Sequence, residues 1–202
     1  MNPTLKTAPG NSDNQDRGAA ISCAGGLVLV VADGAGGRSG GTEAAVMAVE
    51  VVRQHVEQLG DPAACADLLR TVDRRIFQDP NAGEATCALA VVTDDQVFGA
   101  SVGDSGVWMI GTTAVVDLTR RQSRKPFVGS GSAWPVDFVQ RKAKGEILLL
   151  ATDGLLKYTS QERIVAACRE SNGESCAARL IELVRYPSGA LPDDVTVILA
   201  KL

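Results

Sequence analysis

The sequence predicts an α+β fold in which sheets stack as a sandwich and helices cover it. Three observations indicate this. The β-like runs arrive as hairpins joined by short turns, which is typical of antiparallel sheets. The helical patterns come in two pairs, each inserted between strand patterns, which favours layers over a doubly wound parallel sheet. Neither an internal repeat nor a linker divides the 202 residues, so a single domain over residues 1–202 is expected.

The first hairpin is predicted where a short β-like run over residues 18–24 meets an apolar run over residues 27–32. The turn between them is Gly25-Gly26. Antiparallel partners pair across such a turn, so Asp16 is expected to return to the neighbourhood of Asp33. Residues 1–13, which precede the hairpin, are expected to form an extended or loose lead-in.

Two pairs of helices follow from the spacing of apolar residues. After residue 42 the spacing is helical, as shown by Ala45, Val49, Val52, Val56 and Leu59. Asp61 and Pro62 are the predicted N-cap and first residue of the second helix, which ends in the turn at residues 79–83. The later pair is predicted over residues 160–169 and 174–186, with Asn172-Gly173 between them.

The remaining strands are short apolar runs bounded by turn residues. They are predicted at residues 86–92, 96–102, 107–110, 113–118, 146–151 and 195–199. The basic stretch over residues 119–143 is expected to be irregular. Its charges at residues 120–125 favour a solvated loop, and the alternative is a guide for acidic phosphopeptides or a partner.

Composition excludes several classes of protein. The net charge is −4 with both signs interspersed, so a nucleic-acid-binding surface is not expected. The polar start of the chain does not resemble a signal peptide. No apolar run approaches the ~20 residues that span a bilayer. A cytoplasmic protein without a membrane partner is therefore expected, and its five cysteines, which include no CxxC pair, are expected to be reduced thiols.

Acidic residues recur where β patterns begin or end, and most of them adjoin glycine. Five acids share this context: Asp16, Asp33, Asp104, Asp153 and Asp193. Divalent cations such as Mg²⁺ and Mn²⁺ prefer oxygen ligands, and a neighbouring glycine lets the backbone come close enough to add a carbonyl. For any single acid the better interpretation is an exposed turn former, and we keep that interpretation for Asp94-Asp95.

The string Asp33-Gly34-Ala35-Gly36-Gly37 resembles the signature of metal-dependent protein phosphatases of the protein phosphatase 2C type. Four further motifs resemble that family's others, in the family's order and over nearly the whole chain: Asn14-Gln15-Asp16, Gly103-Asp104-Ser105, Thr152-Asp153-Gly154-Leu155 and Asp193-Asp194-Val195-Thr196-Val197. The resemblance implies a compact, bacterial-like member with a four-layer α-β-β-α sandwich, in which paired helices flank two antiparallel sheets. The short segment between Asp104 and Asp153 implies a reduced flap.

The same resemblance implies a centre of two Mg²⁺ or Mn²⁺ ions. Asp33 would bridge both ions and Gly34 would offer its backbone carbonyl, while Asp153 and Asp193 would hold the first ion. Asp16 would lie beside the bridging water, so Asp16 and Asp33 are the expected catalytic residues. Asp104 would form a third ion's site together with Asp153. The implied activity is hydrolysis of phosphoserine and phosphothreonine in proteins by attack of that water.

The chain also departs from the family's pattern. Asn11 stands where many relatives carry a phosphate-binding arginine, and Arg17 or Arg38 are the candidates to replace it. Gln15 and Lys157 stand where acids are frequent. These departures motivate an alternative function, a catalytically weakened binding module that senses or sequesters a phosphoprotein. The expected partner in either case is a protein phosphorylated by a Ser/Thr kinase, and a monomer is expected.

Overall fold

The computed structural model describes residues 2–10, 13–35 and 39–202 as two antiparallel sheets flanked by helices. The strands are β1 (Thr4–Ala8), β2 (Asp16–Cys23), β3 (Gly26–Asp33), β4 (Cys87–Val92), β5 (Gln96–Val102), β6 (Gly106–Ile110), β7 (Val115–Asp117), β8 (Val136–Arg141), β9 (Ile147–Ala151) and β10 (Val195–Lys201). The helices are α1 (Gly41–Gln54), α2 (Pro62–Gln78), α3 (Asp153–Leu156), α4 (Gln161–Glu170) and α5 (Gly173–Glu182). The predicted fold class is confirmed.

Each sheet has five strands and each is buried on both faces. Sheet A has the order β1-β10-β9-β6-β7, and sheet B has the order β2-β3-β4-β5-β8. Their central strands are almost continuously apolar, as in the run Leu27 to Ala32 of β3. Such a run suits a strand that has a packed layer on either side. The two sheets therefore form the interior of the molecule, and the helices form its outside.

Three apolar clusters fill the three interfaces between the four layers. Alternate residues of β3 face opposite ways, so Val30 packs with the α1–α2 layer while Leu29 packs against the other sheet. Leu150 and Ile198 of sheet A meet Leu29 between the sheets. On the outer face of sheet A, Leu149 packs with the α4–α5 layer. Burial of apolar area on this scale is the main force that holds the layers together.

The sequence-based boundaries differ from the observed ones at two strands with remote partners and at two helix ends. The lead-in contains a strand, β1, because residues 4–8 pair with β10 at the far end of the chain. The stretch 119–143 is not wholly irregular, because residues 136–141 form β8 along the free edge of β5. The first helix ends at Gln54, and a 3₁₀ turn over Val56–Gln58 replaces its predicted last turn. The helix predicted over residues 174–186 ends at Glu182. No helix of the described ranges is long and apolar enough to cross a membrane.

Strand register brings the acidic motifs to one edge of the sandwich. In the β2–β3 hairpin Asp16 lies opposite Asp33, as predicted. In sheet A, Ala151 at the end of β9 lies opposite both Gly106 at the start of β6 and Val197 near the start of β10. The acids that adjoin these strand ends therefore share an edge: Asp104, Asp153 and Asp193. Each sheet contributes part of one site.

Candidate metal centre

A cleft of about 900 Å³ opens at this common edge of the two sheets. Its lining includes five of the predicted site residues: Asp33, Gly34, Asp104, Asp153 and Asp193. Asp16 lies beneath them with only 2% of its surface exposed. The structure thus brings together every acid that the sequence singled out as a ligand or catalytic residue.

The backbone of Asp33 is fixed by hydrogen bonds to Thr86. The Asp33 N–H donates to the Thr86 hydroxyl (3.2 Å), and the Thr86 N–H donates to the Asp33 carbonyl (2.8 Å). The Thr86 hydroxyl is in turn hydrogen-bonded to the Ser105 hydroxyl at 2.6 Å. These bonds fix the backbone of Asp33 and do not involve its carboxylate, which lines the cleft.

Gly34 occupies a position that no larger residue could fill. A Cβ atom at Gly34 would lie 2.4 Å from the Gly41 carbonyl oxygen, well inside van der Waals contact. The start of α1 can therefore approach the strand end closely only because residue 34 has no side chain. The Gly34 N–H donates to the Gln15 carbonyl (3.3 Å), which also ties this corner to the segment before β2.

Asp16 is held by one oxygen and unpartnered at the other. The Thr152 hydroxyl donates to Asp16 Oδ2 (2.8 Å) and accepts from the Thr196 N–H (2.9 Å), which links the two sheets. Asp16 Oδ1 is buried and has no hydrogen-bond partner among the described residues. A buried polar atom without a partner is costly, and either a proton held by the neighbouring Asp33 or a bound group would offset this cost.

The crowding of carboxylates shifts their protonation strongly. Burial raises the pKa of Asp16 to about 7. Burial, followed by repulsion from Asp16, Asp153 and Asp193, raises the pKa of Asp33 to about 10. The pKa of Asp153 is also raised, mainly by burial and then by Asp104 and Asp193. Neither Asp16 nor Asp33 has a salt bridge to any lysine or arginine in the part of the chain that the structure describes.

This environment fits a bound divalent cation. The donors are carboxylate oxygens, the ligand type that Mg²⁺ and Mn²⁺ prefer. The unpartnered Asp16 Oδ1 and the raised pKa of Asp33 both mark a lack of positive charge. Within residues 2–10, 13–35 and 39–202, no three acidic, histidine or cysteine side chains stand close enough to form a closed ligand set. A cation at this position would offset the repulsion between carboxylates that contributes to the raised pKa of Asp33.

The outer acids of the cleft already have cationic partners from the chain itself. Arg124 Nε lies 2.7 Å from Asp104 Oδ2, and Lys157 Nζ lies 3.9 Å from Asp153 Oδ2. Both cations also line the cleft. Asp104 and Asp153 are the two residues that the family resemblance assigns to a third ion, so the chain supplies positive charge at that position.

Of the two arginines proposed to bind the substrate phosphate, the structure describes only Arg17. Arg17 Nη1 donates to the carbonyl oxygens of Asn14 (2.8 Å) and Asp16 (2.7 Å), and Arg17 is not part of the described cleft lining. Arg38 and Asn11 fall outside the described residues. Gln15 does line the cleft.

Asp194 lines the edge of the cleft and connects two segments of the chain. Its two carboxylate oxygens accept from the Gly10 N–H (2.7 Å) and the Gln15 N–H (2.6 Å). The segment that leads into β2 is thereby fastened to the start of β10. Asp194 therefore positions its neighbours at the edge of the site and leaves Asp193 to face the cleft.

Asp73 of α2 is a functional candidate that the sequence analysis missed. It is 4% exposed, and its carboxylate accepts three backbone N–H groups, from Gly129 (2.8 Å), Gly131 (3.0 Å) and Ala133 (3.2 Å). The loop that it fastens also lines the cleft through Phe127 and Ser130. The signal was present in the sequence, because Asp73 interrupts the apolar stripe of a helix and a buried acid requires donors.

Comparisons with known proteins identify the family of the chain and solved structures with the same fold. The chain matches the family model described as Protein phosphatase 2C over residues 9–184. A search of curated protein sequences found no significant match. Several solved structures, however, superimpose on nearly the whole chain.

Three of these structures illustrate the likeness. The serine/threonine phosphatase Stp1 from Staphylococcus aureus has a TM-score of 0.86 at 20% identity, covering 99% of this chain and 94% of its own. The serine/threonine phosphatase PstP/Ppp of Mycobacterium tuberculosis has a TM-score of 0.84 at 21% identity, with 100% and 98% covered. A PstP catalytic domain in complex with two manganese ions has a TM-score of 0.82 at 22% identity, with 99% and 97% covered. At these identities the likeness establishes the fold.

Proposed function

The chain belongs to the protein phosphatase 2C family, and on that premise we propose that it hydrolyses phosphoserine and phosphothreonine in proteins with two bound Mg²⁺ or Mn²⁺ ions. The observation that carries this proposal is the pairing of Asp16 with Asp33 beneath a cleft lined by Asp153 and Asp193. These acids come from both sheets, and the deepest two, Asp16 and Asp33, have no salt bridge to a lysine or arginine among the described residues.

We assign the ligands as the family resemblance implies. Asp33 would contact both ions, Asp153 and Asp193 would hold the first, and the Gly34 carbonyl would contribute to the centre. When bound, the two ions lower the pKa of a water between them and stabilise charge on both oxygens of an in-line displacement at phosphorus. No serine or cysteine nucleophile is then required. Asp104 and Asp153 remain the assigned residues for a third ion, in competition with Arg124 and Lys157.

Asp16 has a separate role in the proposal. Its Oδ2 is held by the Thr152 hydroxyl, so the carboxylate has a fixed orientation. Its Oδ1, which has no partner within the described ranges, would accept a hydrogen bond from the attacking water. A base within hydrogen-bond reach of the proton it accepts is the usual geometry for this step. Asp16 would thus orient the nucleophile without holding an ion.

The substrate phosphate requires a donor that replaces the family's arginine, and Arg17 and Arg38 remain the proposed residues. Arg17→Ala and Arg38→Ala, assayed on a phosphopeptide, separate the two candidates. The variant with the larger rise in KM identifies the phosphate-binding arginine, because guanidinium groups bind phosphate through paired charge-assisted hydrogen bonds. The natural substrate is proposed to be a phosphoprotein of a Ser/Thr kinase, encountered in the cytoplasm by a monomeric enzyme.

The decisive experiment measures hydrolysis of p-nitrophenyl phosphate and of a phosphothreonine peptide with Mn²⁺, with Mg²⁺ and with a chelator. We expect turnover that needs the ion and disappears in Asp33→Ala and Asp153→Ala. Asp94→Ala, which changes an exposed acid in a hairpin turn, is the matched control and should retain full activity. Activity that survives chelation would disprove the metal mechanism. Tight ion binding without turnover would instead favour the weakened binding module.

A further inference from the structure

A second cavity lies at the opposite end of sheet A from the acids. Its volume is about 430 Å³, and its floor is formed by the far ends of β6, β9 and β10 at Ile110, Ile147 and Leu199. The ends of α4 and α5 form its wall, including Cys168 and Cys176. These three strands lead away from Asp104, Asp153 and Asp193, so the cavity is separated from the metal centre by the length of a strand.

The two cysteines in this wall are neighbours. Cys168 is in the last turn of α4 and Cys176 is in the first turn of α5, and both belong to the apolar cluster that packs these helices on sheet A. The Cys176 thiol also donates a long hydrogen bond (3.7 Å) to the carbonyl of Ala167, the residue before Cys168. Each side chain is 1% exposed, and neither forms a disulfide in this structure.

We propose that Cys168 and Cys176 form a peroxide-reactive dithiol whose oxidation links α4 to α5 through a disulfide. The cavity is the access route for a small neutral oxidant, since both cysteines line it although they expose little surface to bulk water. When two thiols are neighbours on adjacent helices, an oxidised sulfur can be captured by the second thiol rather than oxidised further.

The chemistry balances with hydrogen peroxide as the oxidant. The Cys176 thiolate attacks one peroxide oxygen, the O–O bond breaks, and a sulfenic acid and hydroxide form; the hydroxide takes up the thiol's proton and leaves as water. The Cys168 sulfur then attacks the sulfenic sulfur, an S–S bond forms, and the second oxygen leaves as water with the Cys168 proton. The two sulfurs together lose two electrons, which reduce one peroxide to two waters.

Cys176 is the better nucleophile of the two. The neighbouring Cys168 thiol, followed by Ser171 and the charge of Arg179, lowers the pKa of Cys176 to about 7 against the opposing effect of burial. Its position in the first turn of α5 acts in the same direction, because a helix N-terminus stabilises a thiolate. The other buried cysteines differ: burial raises the pKa of both Cys65 and Cys87 to about 12.

The test treats the full chain with hydrogen peroxide in the presence of a chelator and without any phosphatase substrate, so its outcome is independent of the proposed activity. Free thiols are counted in denaturant, and the protein is then digested and mapped by mass spectrometry. We expect a loss of two of the five thiols, a mass decrease of two hydrogen atoms, a Cys168–Cys176 cross-linked peptide, and full recovery with dithiothreitol.

Variants identify the attacking and the resolving sulfur. In Cys168→Ser the cross-link cannot form, and we expect a sulfenic acid at residue 176 that a dimedone probe traps. Cys65→Ser, which removes a buried thiol outside the pair, is the matched control and should lose two thiols as the unmodified chain does. Cys23→Ser removes the half-buried competing thiol. Retention of all five thiols, or oxidation confined to Cys23, would overturn the proposal, and mapping of the unmodified chain decides this even if a variant fails to fold.

Discussion

Two pairs of carboxylates at the same cleft differ in how their charge is balanced. The deep pair, Asp16 and Asp33, has no cationic partner among the described residues, and both pKa values are strongly raised. The rim pair, Asp104 and Asp153, is partnered by Arg124 and Lys157. On the proposed function, the deep pair would take its counter-charge from a bound ion, whereas the rim pair has counter-charges from the chain. This difference predicts strong ion binding at the deep pair and weak ion binding at the rim.

The largest effect is expected at the deep pair. Asp33→Asn should lower kcat/KM for a phosphopeptide with Mn²⁺ on the order of a thousandfold, which corresponds to the loss of several kcal/mol of charge stabilisation. Calorimetric titration should show weaker Mn²⁺ binding as well. The metal-free variant should nevertheless melt at a higher temperature than the unmodified chain at pH 8, because an amide replaces a carboxylate that burial disfavours. A lower melting temperature would contradict this account of the deep pair.

The stability of the metal-free protein should fall as pH rises. The pKa of Asp16 is raised from 3.8 to about 7 and that of Asp33 from 3.8 to about 10. At a pH between 3.8 and its raised pKa, each residue holds more of its proton in the folded chain than in the unfolded chain. By linkage, stability from these groups is fully present below about pH 4 and is lost as pH rises through each folded value. Thermal melting in chelator from pH 5 to pH 9 measures the slope. Added Mn²⁺, or Asp33→Asn, should flatten it.

An intermediate effect is expected at the loop behind the rim. Asp73→Asn replaces one acceptor oxygen with a donor that faces a backbone N–H, and should cost about 1–3 kcal/mol in the free energy of unfolding. Trp134, adjacent to Ala133 in this loop and 73% exposed, should change its fluorescence while KM rises. Asp67→Asn, an exposed acid on the same helix, is the control. An unchanged Trp134 signal in Asp73→Asn would show that the loop does not depend on this carboxylate.

The smallest effect is expected at the rim. Arg124→Gln releases Asp104 from an exposed ion pair worth about 0.2–1 kcal/mol. The weakest Mn²⁺-binding step should therefore tighten by at most about fivefold, as measured by calorimetry. Arg121→Gln, which changes a nearby exposed arginine bonded to the Asp137 carbonyl, should leave this step unchanged. If Arg124→Gln instead weakens ion binding, Arg124 supports the rim site rather than competing for it.

The sequence predicted the proximity of Asp16 and Asp33 but not the ion pairs of Asp104 and Asp153. The first depends on residues close in sequence, whereas the Arg124–Asp104 pair depends on a loop fixed by another layer. Asp16 and Asp33 are joined by a hairpin whose turn and apolar alternation lie within twenty residues, so their pairing could be read locally. Arg124 and Asp104 meet through a loop whose path depends on Asp73, in another layer. The sequence shows the charge of Arg124, but it does not show that Asp104 is the partner of this arginine.

Strand prediction also succeeded where the signal was local and failed where the pairing partner was remote in sequence. The apolar runs of β3, β4 and β9 were found because strands buried on both faces are apolar throughout. The edge strand β8 was missed because half of its residues face water and its pairing with β5 is remote. β1 was left as an extended or loose lead-in for a similar reason, since its partner β10 is at the other end of the chain.

By itself the sequence determined the layered α+β class, the acids at strand ends and the family signature around Asp33, because hydrophobic periodicity and turn residues act over short distances. Only the tertiary structure decided which of those acids lack a counter-charge, that Asp73 fastens the loop over the cleft, and that Cys168 meets Cys176 beside a cavity. These properties depend on which layers pack together, and packing between segments remote in sequence is set by the burial of the whole core.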